Sequence, residues 1–216
     1  MEYSHYDTYH LTDPAFVSES LDVLEESLGR YPEGFFRQLP HGPFEHIQLE
    51  LVGALMLKDS AENQPGDAAA FVQEQEGFLR MVLDGFMLQP DTVYHEFSHV
   101  IDRRLSWDAQ IREDALYSNE GWLAQQPEGF AYALSYTEMP EETLRYMETG
   151  CFDREYSMTY PTEDRATLFA AAMTQAQLLE ERPGMQKKLD YYARCIRDCF
   201  DTEGWPEVTA WEQPLQ

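Results

Sequence analysis

The run His95-Glu96-Phe97-Ser98-His99 places two imidazoles and a carboxylate within five residues. On a helix, residues four apart share one face, so both imidazoles can reach a single metal ion. Glu96 follows the first histidine directly and would flank the same site, where a carboxylate can act as general base on a metal-activated water. The H-E-x-x-H spacing therefore indicates a centre for metal-assisted hydrolysis, provided that a helix carries it.

The sequence around the motif predicts that helix. The segment 91–105 contains neither proline nor glycine, and Asp91 or Thr92 is predicted to be the N-cap of a helix that runs through Asp102 and Arg103. Apolar residues flank the histidines at helical spacing: Val93, Phe97, Val100, Ile101 and Leu105. The helix therefore has one face to bury and two histidines close to it.

A catalytic zinc ion needs a third protein ligand and an open position for water. The other histidines (His5, His10, His41 and His46) lie upstream at no spacing typical of a metal site, and the acidic candidates downstream are Glu113, Glu120, Glu155 and Glu163. Glu120 lies about as far beyond the second histidine as the glutamate ligand of thermolysin-like enzymes, although the residues after it differ. Glu163 begins a strongly predicted helix, which can hold a carboxylate rigidly or simply place it near the helix dipole. The residues alone leave both open.

Composition narrows the classes of function. The chain has 216 residues, 43% of them hydrophobic and 13% aromatic, which is enough for a sizeable core. Its net charge of −25, from 40 acidic and 15 basic residues, argues against binding nucleic acid and would concentrate divalent cations near the surface. No apolar run is long enough to span a membrane, and the first residues lack signal-peptide features. A cytoplasmic location is expected for the chain as given, or an extracytoplasmic one if a leader was removed.

The three cysteines, Cys151, Cys195 and Cys199, do not form the even, regular pattern of a disulfide framework. Cys195 and Cys199 are four residues apart on a predicted helix, and two half-buried thiols are favoured there over a thiolate metal site. The sequence therefore predicts free cysteines.

The N-terminal half is predicted to mix helix and strand. A helix is expected over 13–29 and a short one over 32–38, a strand over 46–57, a loop over 58–70, and a second strand within 71–84, best over 77–84. The strand just before the motif helix, at about 78–84, could pair with an extended peptide substrate.

The C-terminal half is predicted to be helical. Helices are expected over 161–180 and 185–201, after an aromatic-rich stretch at 121–140 with little periodicity. We expect an α+β fold with a small mixed sheet, in one domain over 1–216 that has an N-terminal αβ part (about 13–106) and a helical part (about 107–216).

The segments HEFSHVID and YSMTYPTEDRATLFAAAM resemble gluzincin-type metallopeptidases related to the catalytic domain of anthrax lethal factor and to the Pro-Pro endopeptidases. The resemblance is greatest to zinc-binding metallopeptidases of gut Firmicutes and covers most of the chain from about residue 14. In that group a tyrosine precedes the glutamate ligand by seven residues, as Tyr156 precedes Glu163. Better-known members have glycine at the position of Ser98 and carry secretion signals.

The resemblance implies a bacterial protein with a zincin-like metallopeptidase fold. It implies one Zn²⁺ ion held by His95, His99 and Glu163, with metal-bound water activated by Glu96 and the oxyanion stabilised by zinc and Tyr156. Asp102 or Asp164 could accept a ring N–H and orient an imidazole. The function expected is zinc-dependent hydrolysis of a peptide or protein substrate, by an endopeptidase.

The alternative function is a catalytically idle zinc-binding domain that recognises a peptide or protein partner. That alternative needs the metal ligands but not Glu96. The oligomeric state does not follow from the sequence.

Overall fold

The computed structural model describes residues 6–10, 12–57 and 68–216 of the chain. All of its strands lie between residues 6 and 84, and the chain from residue 90 onward is helical or irregular. Among the described residues, no helix is both long and apolar enough to cross a membrane. The small mixed sheet and the helical C-terminal half agree with the predicted α+β class.

The main sheet has three strands in the order β2-β5-β4, where β2 is His46–Val52, β4 is Ala70–Gln75 and β5 is Phe78–Asp84. β5 is the central strand: it pairs in parallel with β2 and antiparallel with β4. Its residues from Met81 to Asp84 are fully buried, as expected of a strand covered on both faces. The strand predicted best over 77–84 is β5, and the residues before it within 71–84 form most of β4, because Gly77 adopts a φ of +87° in the two-residue turn that joins the two strands.

The predicted strand over 46–57 divides at Gly53. The residues beyond it form β3 (Ala54–Leu57), which leaves the main sheet and pairs antiparallel with β1 (Tyr6–Tyr9). The amide of Gly53 donates to the carbonyl of Tyr9 at 2.7 Å, and a Cβ at this position would lie 2.9 Å from the carbonyl oxygen of His10. A glycine at position 53 therefore lets β1 approach closely, at the point where the chain leaves the main sheet for the two-stranded sheet.

Two other predictions for the N-terminal half are partly wrong. The helix α1 (Pro14–Leu28) is as expected, but only a 3₁₀ turn, Phe36–Gln38, forms within 32–38. Gly34 has a φ of +79°, which a right-handed helix excludes. Of the loop predicted over 58–70, residues 58–67 lie outside the described part of the chain, and Ala70 already belongs to β4.

The motif helix α2 spans Pro90–Ile111, so it begins earlier and ends later than predicted. Its N-cap is Gln89, not Asp91 or Thr92, because the fixed φ of Pro90 suits the first helical position. Asp91 then lies in the first turn, where the positive end of the helix dipole favours a carboxylate. The last two turns contain Asp108, which pairs with Arg104 at 3.6 Å and with Arg112 at 3.0 Å. These spacings support a helix beyond Arg103.

The remaining helices are short except for two. Their bounds are α3 Asn119–Leu123, α4 Glu141–Leu144, α5 Pro161–Thr174, α6 Ala176–Glu180 and α7 Pro183–Cys199, with 3₁₀ turns at Arg145–Thr149, Glu155–Met158 and Ala210–Leu215. The helix predicted over 161–180 thus breaks at Gln175. The guanidinium of Arg30 donates to the carbonyl of Met173, which an unbroken helix would pair with the amide four residues on.

Helix α5 lies at the centre of the helical half. Every residue from Glu163 to Met173 is buried, and alanines at 166, 170, 171 and 172 let neighbouring helices approach closely. α2 packs along α5, and the C-terminal turn adds Trp211, which is fully buried against Phe169. The two helices that carry the predicted metal ligands are therefore fixed against each other by the main core.

Candidate metal centre

Helix α2 presents His95 and His99 side by side at its cleft-facing surface. Their ring centroids lie 4.9 Å apart, and their side chains are 16% and 19% exposed. Residues on either side in sequence, including Tyr94, Phe97 and Val100, are buried in the core. The apolar face of α2 therefore sets the rotation of the helix that turns both imidazoles outward.

Glu163 approaches the histidines from the first turn of α5. Its Oε2 lies 3.1 Å from Nε2 of His95 and 3.5 Å from Nε2 of His99, and the three donor atoms all lie within 4.8 Å of one another. Burial would raise the pKa of Glu163, but the hydrogen bonds from both imidazoles outweigh it and hold that pKa below its usual range. The pKa of His99 is raised: burial opposes this, and Glu163 outweighs the burial.

This donor set fits a catalytic zinc ion. Two imidazole nitrogens and one carboxylate oxygen are ligands that zinc prefers, and tetrahedral coordination at ordinary bond lengths places donors about 3.3 Å apart. The two distances to Glu163 Oε2 lie on either side of that value. His95, His99 and Glu163 could therefore hold one zinc ion and leave a fourth position for water or substrate.

Glu96 lies beside this group and is 6% exposed. Its Oε2 is buried and has no hydrogen-bond partner among the described residues. Burial raises the pKa of Glu96, although both histidines oppose the shift. A buried carboxylate oxygen without a partner costs roughly 1–3 kcal/mol, so the site holds a strong acceptor that the fold itself does not use.

Tyr156 lies at the same place, on the 3₁₀ turn Glu155–Met158 just before α5. Its ring centroid is 6.0 Å from that of His95, and the residue is 41% exposed. Burial and the charge of Glu163 raise the pKa of Tyr156, which keeps its hydroxyl protonated. The structure thus brings Tyr156 and Glu163 to one site across their seven-residue separation.

Tyr136 is a site residue that sequence reasoning did not single out. Its hydroxyl donates a 2.8 Å hydrogen bond to Oε1 of Glu163, and its ring stacks on Tyr156 with centroids 5.8 Å apart. Burial and the charge of Glu163 raise the pKa of Tyr136. It lies in an irregular segment within 121–140, where no periodicity in the sequence pointed to it.

The predicted contact of Asp102 or Asp164 with an imidazole does not form. Asp102 accepts from Nε of Arg165 and from the hydroxyl of Tyr192, each at 2.7 Å, and so links α2 to α5 and α7. Asp164 accepts from Nζ of Lys188 and from the hydroxyl of Tyr132, each at 2.6 Å. Both carboxylates are satisfied by buried cations, so they position the helices and not the imidazole rings.

The other predicted ligand candidates lie elsewhere. Glu120 is exposed on α3 and is not part of the histidine group, and neither Glu113 nor Glu155 joins it. His41 hydrogen-bonds the carbonyl of Leu39, and His46 stacks on Phe78. His5 lies outside the described residues. Of the acidic residues considered, the structure brings Glu163 to the two histidines.

The site opens into a cleft of about 850 Å³. Residues 68–72, at the start of β4, form one wall, and Tyr136 and Tyr156 lie on the lining as well. The strand expected to receive a substrate was 78–84, but β5 is paired on both sides and cannot accept another strand. β4, an outer strand of this sheet, is the one that borders the cleft.

The overall fold has a counterpart among solved structures. It is a protein from Bacteroides caccae ATCC 43185 described as a "putative zinc-binding metallo-peptidase". The likeness covers 100% of this chain and 80% of that chain, with a TM-score of 0.55 and 17% sequence identity. At this identity the likeness concerns the fold, which confirms the predicted metallopeptidase-like α+β architecture. No family model matches the sequence, and no curated protein matches it.

Proposed function

We propose that the protein is a zinc-dependent endopeptidase in which His95, His99 and Glu163 hold one Zn²⁺ ion. The observation that carries the proposal is the convergence of these three donors beside the buried carboxylate of Glu96. The cleft in front of them is of the size of small-ligand and peptide sites. Bound zinc would polarise the scissile carbonyl and lower the pKa of water toward about 7.

The residues of the chain divide the proton transfers between them. Glu96 takes a proton from the attacking water and later gives it to the leaving amine, and its buried Oε2 has no other partner among the described residues. The protonated hydroxyl of Tyr156 donates a hydrogen bond to the oxyanion that develops on the substrate. β4 forms a wall along which an extended peptide can bind.

Glu96 also favours an enzyme over a domain that only binds a peptide. A binding site needs the metal ligands, but it gains nothing from a buried carboxylate oxygen without a partner. The bacterial origin and the relation to gluzincins belong to this proposal too, and they rest on the two sequence segments that carry the resemblance.

A diverse peptide library, with products identified by mass spectrometry, tests the activity. We expect internal cuts by zinc-loaded protein purified without a chelating column. Glu96→Gln should retain zinc and lose about 10²–10⁴-fold in rate, because a positioned general base contributes about that much. Glu120→Gln, an exposed glutamate outside the site, is the matched control and should cleave at the wild-type rate.

Two results would count against the proposal. Cleavage by Glu96→Gln at the wild-type rate would refute Glu96 as the base. A zinc-loaded wild type that cuts no peptide in the library would overturn the endopeptidase and favour the peptide-binding domain.

A further inference from the structure

We propose that Tyr136 is a positioning residue of the metal centre, whose hydroxyl fixes the orientation of the Glu163 carboxylate. The inference rests on the proposed function, since it assigns a role toward the same zinc ion. The two carboxylate oxygens of Glu163 have different partners. Oε2 faces both imidazoles, at 3.1 and 3.5 Å, whereas Oε1 accepts from the Tyr136 hydroxyl at 2.8 Å.

The hydrogen bond matters because a glutamate carboxylate rotates easily. The last torsion of glutamate is broad, so the backbone of α5 alone does not decide which oxygen faces the histidines. A donor on Oε1 makes one orientation lower in free energy and presents Oε2 as a single metal ligand. Hydrogen bonds of this kind to a metal-binding side chain orient the ligand and add to metal affinity.

The backbone around Tyr136 is tied to the segment that carries Glu163. Leu134 donates from its amide to the carbonyl of Thr159 at 2.9 Å and accepts from the hydroxyl of Tyr160 at 2.8 Å. Leu134 also adopts a φ of +55°, a left-handed conformation that is uncommon for a leucine and needs support from its surroundings. These contacts fix the 133–136 segment against the junction between the 3₁₀ turn and α5, so the distance from Tyr136 to Glu163 is set locally.

The ring of Tyr136 is held separately from its hydroxyl. It stacks on Tyr156 at 5.8 Å and lies against Tyr160 at 4.7 Å, and the residue is 59% exposed at the cleft surface. Tyr136→Phe therefore keeps the ring contacts, removes only the donor to Oε1 and leaves the core intact. Tyr146→Phe is the matched control, because it removes a tyrosine hydroxyl that donates to the carbonyl of Glu128 and does not line the cleft.

Zinc affinity measured on metal-free protein, by competition with a chromophoric chelator, tests the role. We expect Tyr136→Phe to bind zinc about 10-fold more weakly than wild type, the lower end of the effect of losing such a partner. Tyr146→Phe should match wild type.

The visible absorption spectrum of the Co²⁺-substituted protein adds a readout that a purely structural role would not change. A changed spectrum in Tyr136→Phe, with an unchanged melting temperature of the metal-free protein, would support altered ligation by Glu163. Wild-type zinc affinity and an unchanged spectrum in Tyr136→Phe would overturn the inference while the metal centre stands. Equal weakening in Tyr146→Phe would overturn a specific role for Tyr136, and a wild type that binds no zinc would overturn both proposals.

Discussion

Two glutamates of similar burial have opposite pKa shifts at this site. Glu96 is 6% exposed and Glu163 is 5% exposed, yet burial raises the pKa of the first while hydrogen bonds from His95 and His99 lower that of the second. The two glutamates differ in their partners: both imidazoles hydrogen-bond Glu163, whereas Oε2 of Glu96 has no partner among the described residues.

Tyr156 provides a prediction at the residue scale. Removing its hydroxyl in Tyr156→Phe should lower kcat about 10²–10³-fold, which is the usual effect of losing one donor to an oxyanion. Zinc content should stay at the wild-type level, because Tyr156 is not one of the converging donors. Steady-state kinetics on a peptide found in the library screen, together with metal analysis, would measure both quantities.

Tyr146→Phe serves as the control for that measurement, since its hydroxyl donates to the carbonyl of Glu128 and the residue does not line the cleft. A Tyr156→Phe protein with wild-type kcat would remove Tyr156 from the mechanism without affecting the metal ligands.

The sequence predicts residues of this site unequally. His95, Glu96 and His99 lie on one helix, so their spacing alone places them together. Glu163 and Tyr156 were assigned to the site through the resemblance to a known family, because no local spacing in the sequence encodes the contact between α2 and α5. The place of Tyr136 in the site could not be predicted from the sequence, because it depends on backbone hydrogen bonds from an irregular segment to Met158 and Thr159.

At the scale of elements, the first turn of α5 is held by a buried ion pair. Asp164, next to Glu163, accepts from the Lys188 ammonium on α7 at 2.6 Å, and the side chains are 2% and 0% exposed. The hydroxyl of Tyr132 donates to the other carboxylate oxygen at 2.6 Å. The Lys188 ammonium also lies 4.0 Å from the centre of the Phe152 ring. These contacts fix the turn that carries Glu163.

Lys188→Met should therefore destabilise the protein by about 3–5 kcal/mol, because it leaves the Asp164 charge buried without its cation. Urea unfolding would give the free energy. Lys187→Met is the matched control: Lys187 is the exposed neighbour on the same helix, and its loss should change stability by less than about 0.5 kcal/mol. A loss below about 1 kcal/mol in Lys188→Met would show that this pair does not hold α5.

The sequence predicted which elements exist better than where they end. Helices α1, α2, α5 and α7 were all expected, α1 and α2 from an apolar face at helical spacing, whereas α5 is buried on every side from Glu163 to Met173. The predicted boundaries were wrong where contacts between distant parts of the chain set the end of an element. At Gly53 the close approach of β1 ends the strand, and just before Gln175 the side chain of Arg30 donates to the carbonyl of Met173. Ser98 is another such position, because its hydroxyl lies 3.1 Å from that of Tyr192 on α7. No local pattern reports these contacts.

At the scale of the whole molecule, the chain keeps a known architecture with little of its sequence. It matches the Bacteroides caccae structure over its full length at 17% identity, so the two chains share the arrangement of sheet and helices with few identical side chains. The net charge of −25 favours divalent cations near the surface. The function must therefore follow from the site, whose central feature is the metal ion that it is proposed to hold.

The zinc content of purified protein tests this proposed metal binding most directly. Wild type, Glu163→Ala and Glu120→Ala would be prepared without a chelating column and analysed by mass spectrometry of the metal. We predict one zinc ion per chain in wild type and in Glu120→Ala, and a large loss in Glu163→Ala, which lacks one of the three converging donors. Undiminished zinc in Glu163→Ala would contradict the account.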